Sequence, residues 1–380
     1  MSGENGRLTS GERFRVEYLL QGDEAAARAT AREVCVEQTV EFPEDLLPRG
    51  PIPDEVVGRL ESLVPAGPGR WRAEVSYAVE TAAGELTQLL NVILGNSSMR
   101  PGVRVERFVL TDSLLAAFPG PRFGRAGLRR LTGVERRPLL CTALKPMGLA
   151  ARALAEQAHA FALGGMDLVK DDHGVTDQRF SPYAERVPRC AEAIARANAR
   201  TGRSCLYVVN VTAPVDQVLE RAHLAKRAGA GGLMIAPALC GFDTVRLLAA
   251  DASLAMPILS HPTFGGSYVT SPQNGMSHAV LYGHLPRLAG ADATIFVNYG
   301  GRFPFSREDC AEIARASAAP MGRLPAIFPA PGGGMTAERI PDLLEVYGRD
   351  FLLLVGGGMH RLGPDLTENA RRLLQLAEGM

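Results

Sequence analysis

The sequence predicts an α/β protein: a C-terminal (β/α)8 barrel of the TIM type, preceded by a small α+β sandwich domain of ferredoxin-like character. Two observations predict it. From about residue 138 onward, unbroken apolar runs alternate with amphipathic stretches, eight times over. Strands that are apolar throughout are buried on both faces, as in a helix-covered parallel sheet, and eight βα units close into a barrel. Before that point the order is strand, helix, strand, helix, strand, which suits a two-layer α+β domain. Six or seven true strands would instead make an open doubly wound sheet, and the spacing alone leaves that alternative open.

In chain order, residues 1 to about 11 read as a lead-in without fixed structure. Arg13–Leu20 alternates apolar and polar like a strand, and residues 23–36 are Ala-rich with helical spacing. Turns rich in Pro and Gly cover 43–53, and a short helix is expected near 54–62. Trp71–Glu80 and Val103–Leu110 read as strands on either side of a helix from Glu85 to Leu94, which ends at Gly95 as helices often do. Residues 111–137 read as a connector holding a short helical piece at Gly127. The boundary between the domains is set at 125, giving 12–125 and 126–380. The expected barrel strands are Pro138–Leu144, Met166–Lys170, Cys205–Asn210, Gly232–Ala236, Met256–Ser260, Asp292–Val297, Pro325–Pro329 and Phe351–Val355. The helices between them are placed at 150–163, 183–200, 214–228, 242–250, 276–289, 306–318 and 336–347.

Composition excludes some functions. Formal net charge is zero and no basic tract exists, which argues against nucleic acid and anionic membrane partners. No apolar run approaches 18 residues, so no membrane span is expected. The six Cys are scattered without metal-ligand spacing, several within apolar runs, and the N-terminus has no signal-like segment. A cytoplasmic protein is expected.

In a barrel the chemistry sits at the C-terminal ends of the strands. Those ends are polar or glycine-rich here: Lys145-Pro146, Lys170-Asp171-Asp172-His173, Asn210-Val211-Thr212, His261-Pro262, Asn298 to Arg302, Pro331 to Gly334 and Gly356 to Gly358. Only three of the 41 basic residues are Lys (145, 170, 226), and two of these close the first two strands. A buried Lys amine can be neutral and react, whereas Arg cannot. Side-chain alternation sends Lys170 and Asp172 the same way, into the mouth. The pair is either a structural ion pair or part of an oxygen-ligated divalent metal site. The glycine runs Gly332-Gly333-Gly334 and Gly356-Gly357-Gly358 follow the last two strands, where barrels often bind phosphate. His261 fits a catalytic or a structural role, as does His360; the histidines at 159, 223, 278 and 284 fall in expected helices and read as structural.

Residues 141–173, CTALKPMGLAARALAEQAHAFALGGMDLVKDDH, resemble the large subunit of RuBisCO. That family joins a Lys-Pro strand end to a Gly-Gly-x-Asp-x-x-Lys-Asp-Asp-Glu about 25 residues later, and the small N-terminal domain matches too. The resemblance implies that Lys170 is the lysine CO2 converts to a carbamate, and that Asp172 ligates Mg2+, with His173 in the place of the third ligand. It implies that Lys145 handles protons at an enediolate and that His261 lies beside the substrate. Gly332, Gly333, Gly334, Gly356 and Gly357 then resemble the phosphate cradles, with Asn298 and Arg302 also at the substrate. Glu37 and Asn96 resemble residues that reach into a partner subunit's site, which implies a homodimer or dimer-based oligomer.

The departures redirect the expected reaction. A Glu ligand is His173, the second Lys after Lys-Pro is missing, Pro262 stands where carboxylases have an Arg, and the sixth loop, NYGGRFPFS, has no Lys. Imidazole suits Mg2+ less than carboxylate does, so another divalent ion is possible. The chain therefore resembles the non-carboxylating form IV RuBisCO-like proteins. The pieces KDDHG, NYGGRF and PGGGM resemble most the branch acting on 3-oxo-isoapionate 4-phosphate, so decarboxylation or transcarboxylation with hydrolysis of a phosphorylated sugar acid is expected. The alternatives are an isomerase or enolase of a methylthio-sugar phosphate, and a non-catalytic sugar-phosphate-binding barrel.

Overall fold

Strict alternation in Arg13–Gln21 (β1) buries Phe14, Val16, Tyr18 and Leu20 completely, and this strand becomes the middle of a five-stranded sheet. The computed structural model describes residues 7–379; the greater part of the expected lead-in lies outside the described residues. Helix Glu24–Glu37 follows β1, its N-terminus capped by Asp23, whose carboxylate accepts from the Ala26 amide at 2.8 Å. Then come β2 (Arg59–Pro65), β3 (Arg70–Ala78), helix Leu86–Ile93 and β4 (Val103–Val109). β3 and β4 flank β1 antiparallel and β2 pairs with β3, giving the β-α-β-β-α-β order of a ferredoxin-like sandwich.

The helix expected at 54–62 is absent. A single π-type turn, Ile52–Val56, precedes the edge strand β2. The mistaken reading has a physical source. A bulge between Leu60 and Ser62 lets Leu60 face Val75 and Leu63 face Ala73, so two residues three apart share the buried face, imitating helical spacing. One compact unit holds the chain up to Phe118 together with Gly265–Leu281 and Pro320–Arg323. Within it, the two-residue strand β10 (Gly275–Met276) adds to the sheet edge parallel to β4, where a helix had been expected to begin.

The second unit contains Pro119–Phe264, Tyr282–Ala319 and Leu324 onward. Its strands are β5 (Leu139–Leu144), β6 (Leu168–Asp171), β7 (Leu206–Asn210), β8 (Gly232–Ile235), β9 (Ile258–Ser260), β11 (Ala293–Val297), β12 (Phe328–Gly332) and β13 (Leu352–Leu354). All eight are parallel, and the last, β13, pairs with the first, β5, so the sheet curls into a barrel rather than opening. Leu139, Cys141, Leu168, Val208, Met234, Leu259, Ile295, Ala330 and Leu354 fill its buried core.

One strand is displaced from expectation: the seventh runs Phe328–Gly332, not Pro325–Pro329, so Gly332 is its last residue. The expected strand stops at Pro329, with Pro331 to Gly334 taken as the polar end that follows it. In a parallel ladder alternate residues turn their amides to the same neighbour. The Phe328 amide bonds to the Asp292 carbonyl, so Phe328, Ala330 and Gly332 serve β11. Pro329 and Pro331 therefore face the other side, towards β13, without N–H groups. Gly332 packs against Leu354, yet no ladder joins β12 to β13 among the described residues. The prolines place the barrel's seam there.

Candidate active site

Strand alternation positions the first group. Leu168 and Lys170 enter the barrel interior, while Asp171 turns outward to the helix layer. There Asp171, fully buried, accepts from the Tyr207 hydroxyl at 2.7 Å and the Asn210 amide at 3.1 Å, and meets the buried Arg186 guanidinium at 3.4 Å. Arg186 also donates to the carbonyls of Ser181 and Thr176, and Asn210 donates to those of His173 and Val175. The segment after β6 is thus held from below by the strand-end residues Asp171 and Asn210 together with Tyr207 and Arg186, which the sequence reading had not singled out.

Above this support sit the reactive groups. The Lys170 side chain is buried, its Nζ 3.0 Å from the Asp171 carbonyl. Burial pushes its amine below the usual lysine range. Lys145 Nζ lies 2.7 Å from Asp172 Oδ1, and His173 Nδ1 lies 3.3 Å from the same oxygen. Burial alone would raise Asp172. The hydrogen bonds from His173 and Lys145 and the charge of Lys170 outweigh it and hold the carboxyl well below its usual range. The ring of His261 stacks on that of His173, centroids 4.5 Å apart. Burial first, and then the charge of Lys170, hold His261 well below the usual imidazole range. Its Nδ1 accepts from the Thr263 amide at 3.2 Å, so the neutral ring carries its proton on Nε2 and offers a donor.

Lys145 is clamped through its backbone: its amide donates to Gln157 Oε1 at 3.2 Å and its carbonyl accepts from Gln157 Nε2 at 2.7 Å. A Cβ on Gly356 would lie 3.6 Å from Lys145 Cε, so the eighth glycine loop borders the amine. Gly333 and Gly334 adopt φ values of +83° and +92°, and a Cβ on Gly301 would sit 2.2 Å from the Gly333 carbonyl oxygen, so the sixth and seventh loops touch backbone to backbone.

Of the residues singled out from sequence, the structure brings Lys145, Lys170, Asp172, His173, His261 and Gly356 near one another. Asn298 is otherwise engaged: it is fully buried and its Oδ1 accepts from the Tyr347 hydroxyl at 2.5 Å. Arg302 is exposed, its guanidinium over the Phe303 ring. In the first unit Asn96 Nδ2 donates to Glu37 Oε1 at 3.0 Å, so these two residues, distant in sequence, act as a pair. Of the remaining histidines, His159 bonds the Ala193 carbonyl and His223 pairs with Asp251. His360 has an enclosed Nε2 without a partner and packs edge-on against Phe161. A cleft of about 590 Å3 opens at the N-terminal end of the barrel strands, but there Arg137 and Asp167 already satisfy one another at 2.6 and 2.8 Å. Cavity volume alone does not locate the chemistry.

The mouth fits a divalent ion in one specific way. No three His, Cys, Asp or Glu side chains converge on a common point among the described residues. Lys170, however, would become an oxygen donor if it reacted with CO2, and Asp172 would add a carboxylate. His173, donating a hydrogen bond from Nδ1 to Asp172, would keep an Nε2 lone pair. Two oxygens and one imidazole nitrogen suit Mg2+ less strictly than three oxygens, and also suit borderline ions.

Residues 125–301 match the family model of the ribulose bisphosphate carboxylase large chain, catalytic domain. The chain is 41% identical over 361 residues to ribulose bisphosphate carboxylase-like protein 1 of Rhodopseudomonas palustris, covering 95% of this chain and 96% of that one. It is 35% identical over 369 residues to the 5-methylthioribulose-1-phosphate isomerase of Rhodospirillum rubrum, covering 97% of each. A crystal structure of a RuBisCO-like protein from Rhodopseudomonas palustris superposes with a TM-score of 0.87 at 37% identity, over 96% of this chain and 97% of that one. With the barrel, its N-terminal sandwich and the Lys-Pro and Lys-Asp-Asp strand ends in place, the chain belongs to the RuBisCO large-chain family, among the RuBisCO-like proteins.

Proposed function

We propose that the chain enolises a phosphorylated ketose of the methylthio-sugar class, as an isomerase or enolase acting on a compound such as 5-methylthioribulose 1-phosphate. The observation that carries this is the Lys145–Asp172 contact of 2.7 Å beside the buried Lys170. It places a mobile proton and a fixed negative charge together at a barrel mouth. The full-length similarity to a methylthioribulose-phosphate isomerase supports the substrate class. This displaces sugar-acid decarboxylation from first place.

Lys170 as carbamate, Asp172 and His173 would hold Mg2+ or another divalent ion, which supplies polarisation of the substrate's ketone oxygen. Lys145, held by Gln157, exchanges the proton at the adjacent carbon. His261, neutral and protonated on Nε2, donates to a developing oxyanion. The glycine amides of Gly333, Gly334, Gly356 and Gly357 bind the phosphate. The Glu37–Asn96 pair completes the site of a second copy in a homodimer. No helix among the described residues is long and apolar enough to cross a membrane, and the six free thiols suit a reducing cytoplasm.

A second reading rests on His173 in the ligand position and the lysine-free loop Asn298 to Arg302: decarboxylation, or transcarboxylation with hydrolysis, of a 3-oxo sugar-acid phosphate such as 3-oxo-isoapionate 4-phosphate. NMR in D2O with both substrate types separates the readings. Deuterium entering the ketose with isomer or enol formation supports the first, and loss of CO2 or bicarbonate supports the second. Binding without turnover of either would leave a sugar-phosphate-binding barrel.

A further inference from the structure

Two neighbouring loops of the mouth are rich in glycine. Gly300 and Gly301 follow β11, and Gly333 and Gly334 follow β12. Glycine restricts its own backbone least, so amides on such loops keep one direction only if something outside the loops fixes them. Strand pairing does this as far as the Asn298 amide, which donates to the Gly332 carbonyl at 2.9 Å. Beyond that rung no backbone hydrogen bond joins the two loops among the described residues.

A side chain takes over there. Arg339, the residue before the helix Ile340–Tyr347, donates from Nη1 to the Tyr299 carbonyl at 2.7 Å. Its Nη2 donates to Asp342 in the first turn of that helix at 3.1 Å, and its guanidinium lies over the Tyr299 ring, 4.9 Å from the centroid. A Cβ on Gly300 would fall 3.3 Å from both Nη1 and Nη2, so the guanidinium also rests on the glycine backbone. The far end of the same helix braces the same point. The Tyr347 hydroxyl donates to Asn298 Oδ1 at 2.5 Å, and Asn298 Nδ2 donates to the Tyr299 carbonyl at 3.2 Å. Both ends of the helix after β12 thus converge on one carbonyl at the base of the sixth loop. The braced loop lies directly on the seventh: a Cβ on Gly334 would be 3.5 Å from Gly301 Cα.

We infer that Arg339 is a positioning residue for the anion site of the seventh loop. Its bond to the Tyr299 carbonyl holds Gly300 and Gly301 against Gly333 and Gly334, so the glycine amides are set before a phosphate arrives. The inference rests on the assignment of phosphate to those amides, and it is testable apart from enolisation. A hydrogen bond from a charged donor is worth about tenfold or more in an equilibrium constant. With it gone the loops sample other arrangements, and the apparent affinity falls with the fraction still competent to bind. Lys145 and Asp172 stand at the ends of β5 and β6, outside this bracket, so the chemical step on bound substrate is left intact.

The test measures calorimetric affinity for inorganic phosphate, and deuterium exchange into 5-methylthioribulose 1-phosphate, for the parent, Arg339→Ala, Gly301→Ala and Arg307→Ala. Gly301 has no left-handed φ, and a Cβ there would meet the Gly333 carbonyl oxygen at 2.2 Å, so Gly301→Ala wedges the loops apart with Arg339 intact. Arg307 is the control: its guanidinium also lies over the Tyr299 ring, 6.0 Å from the centroid, but it bonds Glu345 at 2.9 Å rather than the loop backbone. Arg339→Ala and Gly301→Ala should each weaken phosphate binding about tenfold. They should raise KM by about as much while kcat stays within about twofold. Arg307→Ala should change neither. Phosphate affinity unchanged in Arg339→Ala, or lost equally in Arg307→Ala, overturns the inference. A loss in Arg339→Ala without one in Gly301→Ala means that Arg339 grips the anion itself, which also overturns it. Should Arg339→Ala not fold, Arg339→Lys takes its place, since one ammonium cannot span the Tyr299 carbonyl and Asp342 in one plane, and the same outcomes apply. A parent that binds no phosphate rejects the glycine-loop site and the inference together. Enolisation is judged separately, by deuterium exchange in the parent.

Discussion

The amine of Lys145 and the carboxylate of Asp172, just past the ends of neighbouring strands β5 and β6, lie 2.7 Å apart, with the Lys170 amine buried beside them. Two amines competing for one carboxylate cannot both be held as ammonium ions at no cost. Lys145 has the contact and partial access to water. Lys170 has neither, and burial holds its amine low. Burial thus disfavours the ammonium form of Lys170, the form that cannot react with CO2.

Lys170→Arg separates charge from reactivity, since Arg keeps a cation and cannot form a carbamate. Turnover of the preferred substrate should fall at least about a hundredfold, the lower range for losing a group that supports proton transfer. The parent's rate should rise with added bicarbonate and the variant's should not. A variant as fast as the parent would reject the carbamate.

His173→Glu restores a carboxylate beside Asp172 and removes the stack on His261. A third oxygen donor suits Mg2+, so calorimetry should show Mg2+ affinity rising by about tenfold, within the range seen when metal-site partners are altered. Zn2+ or Ni2+ affinity should fall with the loss of the imidazole. Equal responses from the hard and borderline ions would mean that residue 173 does not face the metal.

The barrel was legible because its strands are apolar on both faces; that pattern gives all eight strands, the seventh displaced towards its N-terminal side. The misses have local causes. β2 imitates helical spacing through a bulge at Leu60, and β12 runs on past Pro329 and Pro331, whose missing amides point to the unladdered seam. Gln157 could not be found from sequence. It lies on a helix whose polar positions look alike, and only the fold brings it to the Lys145 backbone. Asp171 was read with its neighbour Asp172, although alternation should have sent it outward, to Tyr207 and Arg186.

Asp292, at the start of β11, accepts from the amides of Phe123, Gly124 and Ile258, tying the helix Gly124–Thr132 to the barrel. Burial outweighs these amides and pushes its carboxyl up to about 6. The folded pKa exceeds the unfolded value of about 3.9, so the folded state holds the extra proton between them. The stability this gives is full below about pH 4 and is lost as pH rises through about 6. A gap of about two between the folded and unfolded pKa values corresponds to about 3 kcal/mol at most. Asp292→Asn should flatten the difference in denaturation free energy between pH 4 and 7 relative to the parent; unchanged profiles would show that Asp292 does not titrate there.

Arg186 and Asp171 form a pair with no side-chain exposure, and Arg186 also holds the Thr176 and Ser181 carbonyls of the segment that follows His173. Removing one partner of a buried pair leaves the other desolvated and uncompensated, at a cost of about 3–5 kcal/mol. Arg186→Met should lower the unfolding free energy by that amount and loosen the segment bearing Asp172 and His173. Asp171→Asn added to Arg186→Met removes the stranded charge while Tyr207 and Asn210 keep a hydrogen-bonding partner. The double variant should therefore be more stable than Arg186→Met alone, a coupling that denaturant titrations of all four proteins measure directly. A loss below about 1 kcal/mol on Arg186→Met would mean that water reaches the pair.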